Sequence, residues 1–318
     1  MPESDEFRSS ATLSRWLRIH ETENWHADQL EALDLNTTEA GSLFIRPRTV
    51  VWYADWRGPM LYKAVDGDFA LTTRVRVADR NPDLDSIPNS LYSLAGLMLR
   101  GPTGITNPAT QWMGGHENYI FLSLGHGDNG GTAFQFEVKT TIGAVSTLQL
   151  SLADSDTAEL QLARVHGVYF FALYRLPGED WVLHRRFHRP DLAGQIQAGM
   201  VCYTDWAKAN NFSRFFHNGN ALGPGLVVDP TPWQPFAPDL DAYLSYARFH
   251  RPVTPAALAG VDLMDTNLVP DAHLLAFLGA AVNVEALAED LDGDGCERSR
   301  PARDLPGEPG GLYRGWGL

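Results

Sequence analysis

The chain has 318 residues, of which 44% are hydrophobic and 20% charged, so it can bury a large core and is not a disordered polymer. Its 25 Lys and Arg residues against 39 Asp and Glu residues give a net charge of −14, and no basic run is present. We therefore expect no nucleic-acid partner. No stretch reaches the ~18–20 apolar residues of a membrane span, and no signal peptide is visible at the acidic start; we expect a soluble chain of unknown compartment.

The first forty residues carry two weaker signals. Trp16, Leu17 and Ile19 fit an early strand, which in a sandwich would close a sheet edge, and residues 28–33 fit a helical turn.

Residues 40–250 are predicted to form short strands separated by turns. In the clearest strand, Phe69, Leu71, Val75 and Val77 alternate with more polar residues, the period of two that is typical of a half-buried strand. Similar segments are predicted at 42–46, 50–56, 59–65, 92–100, 117–125, 132–141, 145–152, 158–165, 168–175, 180–187, 194–204, 212–217 and 241–249. Because no helix-length segment lies among them, we predict an all-β fold, an antiparallel β-sandwich, with residues 1–252 as the domain and 40–250 as its core.

The composition changes after Pro252, and we assign residues 253–318 to a short, partly helical or mobile C-terminal extension. Three short helices are predicted, at 256–259, 272–278 and 284–291. The last seven residues, 312–318, are apolar and aromatic and follow a Pro- and Gly-rich tether. Such a tip either docks on a protein partner, or is a disordered end or one that folds back onto the sandwich.

One long string, residues 52–69, resembles the opening of the concanavalin A-like lectin/glucanase superfamily, together with 95–100, 117–119, 178–181 and 197–200. Within it, the chain is similar to the branch of uncharacterised bacterial domains related to the fungal regulation-of-enolase protein. The resemblance covers roughly residues 40–250. It implies a jelly roll of two curved sheets whose concave face often receives sugars, but it implies no reaction.

A row of polar residues is predicted on one face of the strand at 132–141. Alternation places Gln135, Glu137, Lys139 and Thr141 on that face, and Phe136 with its apolar neighbours in the core. The Glu-x-Asp-x-x-Glu strand of glucanases on this fold is missing. The row is either suited to hydrogen-bonding a ligand or is a cross-strand charge pair on a solvated face.

Ligand contacts are expected from aromatic and polar residues near predicted strand ends, because aromatic rings stack on sugars and planar polar groups bind hydroxyls. The predicted set is Tyr53, Trp56, Arg100, Trp112, Asn118, Gln135, Glu137, Lys139, Tyr203 and Trp206. The alternative is that several of these side chains pack in the core or at its rim.

Three functions follow from this pattern. The first is a carbohydrate-binding, lectin-like module that recognises a glycan on the concave face. The second is a glycoside-acting enzyme, with Glu137 as the leading carboxylate and His116, Glu117 or Asp205 as its partner, since glycosidases need two carboxyl groups. The third is a structural or assembly protein that docks through its tail.

No cofactor is required by these functions, but two places suggest a structural Ca²⁺. By resemblance, an ion would lie between an early strand and the last one, with Asp68 and Asp241 as ligands. Asp290, Asp292 and Asp294 imitate the start of an EF-hand loop. The bidentate Glu of such a loop is replaced by Pro301, so these acids either bind calcium weakly or keep a linker hydrated.

Overall fold

The computed structural model describes residues 1–81, 87–129 and 133–279, and the strands of these residues form two antiparallel sheets. The strands are β1 (Leu17–Arg18), β2 (Leu30–Leu35), β3 (Leu43–Pro47), β4 (Met60–Val65), β5 (Phe69–Asp79), β6 (Ser93–Arg100), β7 (Tyr119–His126), β8 (Phe134–Ile142), β9 (Val145–Ala153), β10 (Thr157–Val165), β11 (Tyr169–Arg175), β12 (Val182–His188), β13 (Ile196–Tyr203), β14 (Leu240–Leu244) and β15 (Arg248–His250). The α-helices are α1 (Ile19–Thr22), α2 (Pro108–Gln111), α3 (Trp206–Ala209), α4 (Arg214–Gly219) and α5 (Asp271–Leu278), and 3₁₀ turns lie at Ser10–Arg15, Pro190–Leu192 and Ala256–Leu258.

The seven-stranded sheet runs in the order β1-β4-β13-β6-β7-β8-β9, and the eight-stranded sheet contains β12-β11-β10-β5-β14-β3-β2 with β15 paired to β5. Every pairing between strands of the described residues is antiparallel. The predicted all-β sandwich is confirmed, and the early strand β1 does close one edge.

The core between the sheets follows from the period of two. Phe136 and Val138 of β8 point inward and are buried with Leu71 and Val75 of β5 in one continuous apolar cluster. Burying apolar surface stabilises the fold by roughly 25 cal/mol per Å², so the alternation determines which face of each strand turns inward. The opposite face of the seven-stranded sheet, which we call the polar face, therefore carries the side chains predicted to meet a ligand.

Four of the predicted elements are wrong in type or extent. Residues 28–33 are not a helical turn, because β2 pairs with β3 and buries Leu30 and Leu35 in the core. Residues 50–56 form no strand: only isolated bridges occur there, and Ala54 adopts a left-handed backbone. Residues 212–217 turn into α4, whose first turn is capped when the Ser213 hydroxyl accepts a hydrogen bond from Phe216 N. The segment 241–249 is split between β14 and β15.

Residues 253–279 cover the outward face of the eight-stranded sheet. Leu263, Leu274 and Leu278 are buried there against Phe171 and Leu173 of β11. Helix α5 confirms the helix predicted after Asp271, and the first predicted helix is a 3₁₀ turn. The third predicted helix and the 312–318 tip lie outside the described residues. In the part of the chain that the structure describes, no helix is long and apolar enough to cross a bilayer.

We predict that Gly199→Ala destabilises the sandwich by at least about 2 kcal/mol, because overpacking a sheet forces backbone shifts. A Cβ at Gly199 would lie 1.9 Å from the carbonyl oxygen of Leu61 on the neighbouring strand β4. The matched control is Gly194→Ala, whose Cβ would meet no heavy atom within 4 Å. The free energy of unfolding from urea titrations measures both. Equal stability of the two variants would contradict the packing described for β13 and β4.

Candidate functional site

The polar face is covered in large part by the protein's own chain. Residues 48–59 lie across it, joined to the end of β13 by reciprocal backbone hydrogen bonds between Val50 and Thr204, at 3.1 and 2.9 Å. Trp52, in the same segment, is fully buried, and its indole donates to the carbonyl of Pro59 at 3.1 Å. The face on which a ligand was expected is therefore largely filled by these contacts, and a small cavity is left beside them.

That cavity, which we call the aromatic cavity, has a volume of about 150 Å³. Its lining consists of Trp52, Tyr53, Tyr92, Lys139, Leu148, Tyr203 and Trp206. The ring of Trp206 lies 5.3 Å from that of Tyr53 and 6.1 Å from that of Tyr92, both edge-on, and Trp56 packs behind it at 6.0 Å. The walls are therefore apolar rings held by one another.

Lys139 is the charged side chain of this lining, and it is only 2% exposed. Its Nζ atom donates to the carbonyl of Trp52 at 2.6 Å and to the Tyr203 hydroxyl at 3.3 Å, and lies 2.6 Å from Oε1 of Glu137. Burial lowers the pKa of Lys139, and the nearby carboxylate of Glu137 opposes that change. The ammonium also lies 4.7 Å from the centre of the Tyr203 ring, within the range of cation–π attraction.

Tyr203 connects the cavity with the carboxylate beneath it. Its hydroxyl donates a short hydrogen bond to Oε2 of Glu137, which is fully buried. Burial raises the pKa of Tyr203 well above its usual value, and the charge of Glu137 adds to the effect. We call Glu137, Lys139 and Tyr203 the polar trio; it places two groups with perturbed pKa values at a cavity wall, which is typical of functional sites.

Three residues next to the cavity have left-handed backbones although none is glycine. Ala54 has φ 52°, Tyr92 has φ 57° and Asp205 has φ 64°. Ala54 follows the lining residue Tyr53, Tyr92 itself lines the cavity, and Asp205 precedes the lining residue Trp206. Such conformations cost of order 1–3 kcal/mol each, and they concentrate at sites where side chains must be aimed.

Asp205 belongs to the support of the cavity rather than to its lining. Its Oδ2 atom accepts hydrogen bonds from the hydroxyl of Thr49 at 2.6 Å and from the backbone N–H of Ala237 at 2.9 Å. Burial raises the pKa of Asp205. The carboxylate thus ties Thr49, in the segment 48–59 that covers the polar face, to Ala237, next to Trp206.

Arg100 and Glu117 form a second buried cluster on the polar face, away from the aromatic cavity. The guanidinium of Arg100 makes a bidentate pair with Glu117 at 2.6 Å and contacts Glu23 at 2.7 Å and Gln197 at 2.6 Å. Its side chain is fully buried. All of these groups are occupied by one another, so this cluster offers a ligand no open position.

The remaining predicted ligand residues lie apart from the cavity lining. Trp112 packs against Trp25 and Phe215, with ring centres 6.5 and 5.6 Å away. Asn118 holds a turn by accepting from the N–H of Gly143 at 2.9 Å. Gln135 accepts from the N–H of Asp128 at 3.0 Å.

His116 and Glu117 are not brought together as an acid–base pair. His116 is exposed, whereas Glu117 is buried beside Arg100. This is the outcome expected when adjacent residues of an extended segment point in opposite directions.

Asp68 and Asp241 do not share an ion site. Asp241 lies opposite Ala78 in the β14–β5 register, and Asp68 precedes Ala78 by ten residues, a separation of roughly 30 Å along an extended strand. Asp68 accepts from the N–H groups of His166 and Gly167 at 2.8 Å, and Asp241 makes a bidentate pair with Arg46 at 2.6 Å. Within residues 1–81, 87–129 and 133–279, no group of three or more acidic, His or Cys side chains is placed to hold a metal. The acidic run at 290–294 lies outside these residues, so calcium binding there stays a prediction.

Sequence reasoning did not select Trp52, Tyr92 or Leu148 for the site. Trp52 lies in the string 52–69 that carries the family resemblance, so that string contained a usable signal. Leu148 occupies a β9 position directly opposite Lys139, which strand alternation could have indicated. Tyr92 carries no such signal, since its position depends on an unusual backbone angle.

No protein-family model matches the chain, and no curated protein matches it. Among solved structures, it is similar to a functionally unknown protein from Saccharomyces cerevisiae, with 13% identity, a TM-score of 0.46 and coverage of 76% of this chain and 98% of that one. It is also similar to a glycoside hydrolase family 43 protein from Bacillus licheniformis (11%, TM-score 0.46), covering 78% of this chain but only 39% of that one. A third is an alginate lyase variant in complex with an alginate tetrasaccharide (12%, TM-score 0.41), covering 78% of this chain and 96% of that one. At these identities and scores, the similarities carry no argument about activity.

The pH dependence of stability is expected to depend on His217, which holds the segment that covers the polar face. His217 is fully buried, and burial lowers its pKa to about 4. Its Nε2 atom accepts from Val51 N at 3.1 Å while Nδ1 faces Oδ1 of Asn218 at 3.0 Å, an arrangement that requires the neutral ring. Because the unfolded chain takes up its proton near pH 6.5, before the folded one does, the stabilisation is complete above pH 6.5 and is lost as the pH falls towards 4.

We therefore predict that the free energy of unfolding of the wild type falls by about 3 kcal/mol more than that of His217→Gln between pH 6.5 and pH 4. Urea titrations of both proteins across this range measure the difference, and the shared acidic groups cancel in the comparison. Parallel pH profiles would contradict the buried, neutral imidazole.

Proposed function

We propose that this chain is a glycan-binding module and that one sugar ring of the ligand enters the aromatic cavity. The proposal rests on the aromatic walls of this cavity and on its polar floor. The rings of Tyr53, Tyr92 and Trp206 suit the C–H surfaces of a sugar. Beneath them Lys139 and the Tyr203 hydroxyl make the floor polar, but their hydrogen bonds are directed at Trp52, Glu137 and each other, so the aromatic walls supply most of the expected contact.

The size of the cavity limits what can enter. Pockets for drug-sized ligands have volumes of about 300–1,000 Å³, whereas this one measures about 150 Å³. A single ring or a chain end fits such a volume, and the rest of a longer glycan would remain outside. Recognition of a terminal or branching sugar is therefore favoured over a bound internal segment.

The positions of the carboxyl groups favour binding over glycoside hydrolysis, which needs two of them facing each other. Glycosidases place two carboxyls about 5–9.5 Å apart across the bond they cleave. Among the described residues, no carboxylate lines the aromatic cavity, and Glu137 lies behind Tyr203. Glu117 is paired with Arg100, and Asp205 with Thr49, so neither faces Glu137 across an open groove.

Trp206→Ala is predicted to weaken binding at least about tenfold on whichever glycan the wild type binds best in an array, because it removes an aromatic wall. Dissociation constants from calorimetry measure the effect. The matched control is Trp112→Ala, a tryptophan that packs with Trp25 and Phe215 instead of lining the cavity. Loss of binding in the Trp112 variant with retention in the Trp206 variant would relocate the site, and no binding to any glycan would refute the proposal.

The polar trio supports a second candidate, a glycan-acting enzyme. The lowered pKa of Lys139 and the hydrogen bond from Tyr203 to Glu137 are suited to moving a proton at the cavity wall. Such an enzyme would use acid–base chemistry by the trio in place of two opposed carboxylates.

We expect the wild type to bind its best glycan without releasing product, as measured by reducing-end and ultraviolet assays over hours. Tyr203→Phe, which keeps the ring and removes the hydroxyl, is then expected to change affinity by only a few-fold. If the wild type turns the glycan over and Tyr203→Phe binds it without turnover, the chain is an enzyme and the binding-module proposal is wrong.

A further inference from the structure

Strand β9 is an unprotected edge of the seven-stranded sheet. Its sequence from Val145 to Ala153 contains no charged residue and no proline, and Val145 and Leu152 are 70% and 68% exposed. The other sheet edges of the described residues are protected in the usual ways: β1 has two residues, β2 carries two acidic residues and β12 carries two arginines. An uncharged nine-residue edge is a ready template for a further strand.

The backbone groups of β9 that face outward can be assigned from its hairpin. β8 and β9 are joined by the two residues Gly143 and Ala144, both left-handed, and Ile142 pairs with Val145. This closing pair is hydrogen-bonded, and such pairs alternate along an antiparallel ladder. The outward N–H and C=O groups are thus those of alternate residues from Ser146 to Leu152. Within the described part of the chain, no hydrogen bond to these groups is present.

The strand is self-complementary about its central residue, Gln149. With a two-fold axis there, Leu148 of one copy pairs with Leu150 of the other, Ser146 pairs with Leu152, and Thr147 lies opposite Ser151. All four outward-facing residues of each copy then meet outward-facing residues of the other. Leu148 lies beside Leu150, and β9 itself brings no charge to the axis; the charge beside it is Arg185 of β12, which donates to Oε1 of Gln149 at 2.9 Å.

We propose that a second copy of this chain pairs antiparallel with β9 about this axis, so that the two seven-stranded sheets become continuous. The partner is a second copy because the register that satisfies every outward group is also the symmetric one. This inference is independent of the glycan-binding proposal. It has one consequence for the site: Leu148 lines the aromatic cavity, so the second copy's Leu150 would lie about 5 Å away, at the rim of that cavity.

Sedimentation equilibrium of the full chain tests the proposal. We expect a dimer whose dissociation constant rises at least about 100-fold in Leu150→Lys, because an edge lysine opposes strand pairing. Val253→Lys, in the segment that follows β15 and 84% exposed in the wild type, is the matched control and should leave the dimer unchanged. A wild type that is monomeric at 100 µM, or a dimer broken equally by both variants, would overturn the proposal.

Cysteine cross-linking tests the register without weakening the strand. Across a non-hydrogen-bonded pair the Cα atoms are about 4.5 Å apart, within disulfide range. In a Cys296→Ser background, Gln149→Cys is expected to form a covalent dimer under mild oxidation, because the axis brings position 149 beside itself. Thr147→Cys should not, because its counterpart lies several residues away. Equal cross-linking of the two variants, or none of Gln149→Cys, would overturn this register.

Discussion

The rest of the structure depends on how the charged side chains of the polar face are compensated once they are buried. Strand alternation places Arg100 and Lys139 on the side of the sheet opposite the core, where solvent would normally surround them. Both are nevertheless almost completely buried. An unpaired buried charge costs several kcal/mol, so each must find an anionic or carbonyl partner within the protein. Arg100 meets Glu117 and Glu23, and Lys139 meets Glu137 and the carbonyl of Trp52.

These partners come from segments that lie across the sheet, and this explains why the face is filled. The carbonyl of Trp52 reaches Lys139 only because residues 48–59 cross β8, and His217 and Asp205 hold that segment in place. The same covering segment supplies two walls of the aromatic cavity. Compensation of a buried lysine and formation of a small aromatic site are thus two results of one arrangement. The affinity of the site is expected to depend on the packing of the covering segment as much as on the rings that meet the ligand.

The sequence predicts the strands well because burial of alternate side chains is a local constraint. It places Phe136 inward and Glu137 and Lys139 outward without further information. It fails where the outcome depends on contacts distant in sequence. The period of two on β8 cannot show that the face would be covered, since the covering residues come from elsewhere in the chain. For the same reason Trp112 was expected at the site, but its partner Trp25 lies 87 positions earlier.

The central claim is tested most directly by a double-mutant cycle on the free energy of unfolding with Glu137→Gln, Lys139→Met and both changes together. If the two buried side chains compensate each other, each single change should cost about 3–5 kcal/mol by leaving its partner unpaired. The double variant should then be more stable than the sum of the single effects predicts, by at least about 1 kcal/mol. Single effects that add within about 0.5 kcal/mol would show that the pair is not coupled, and would contradict the account.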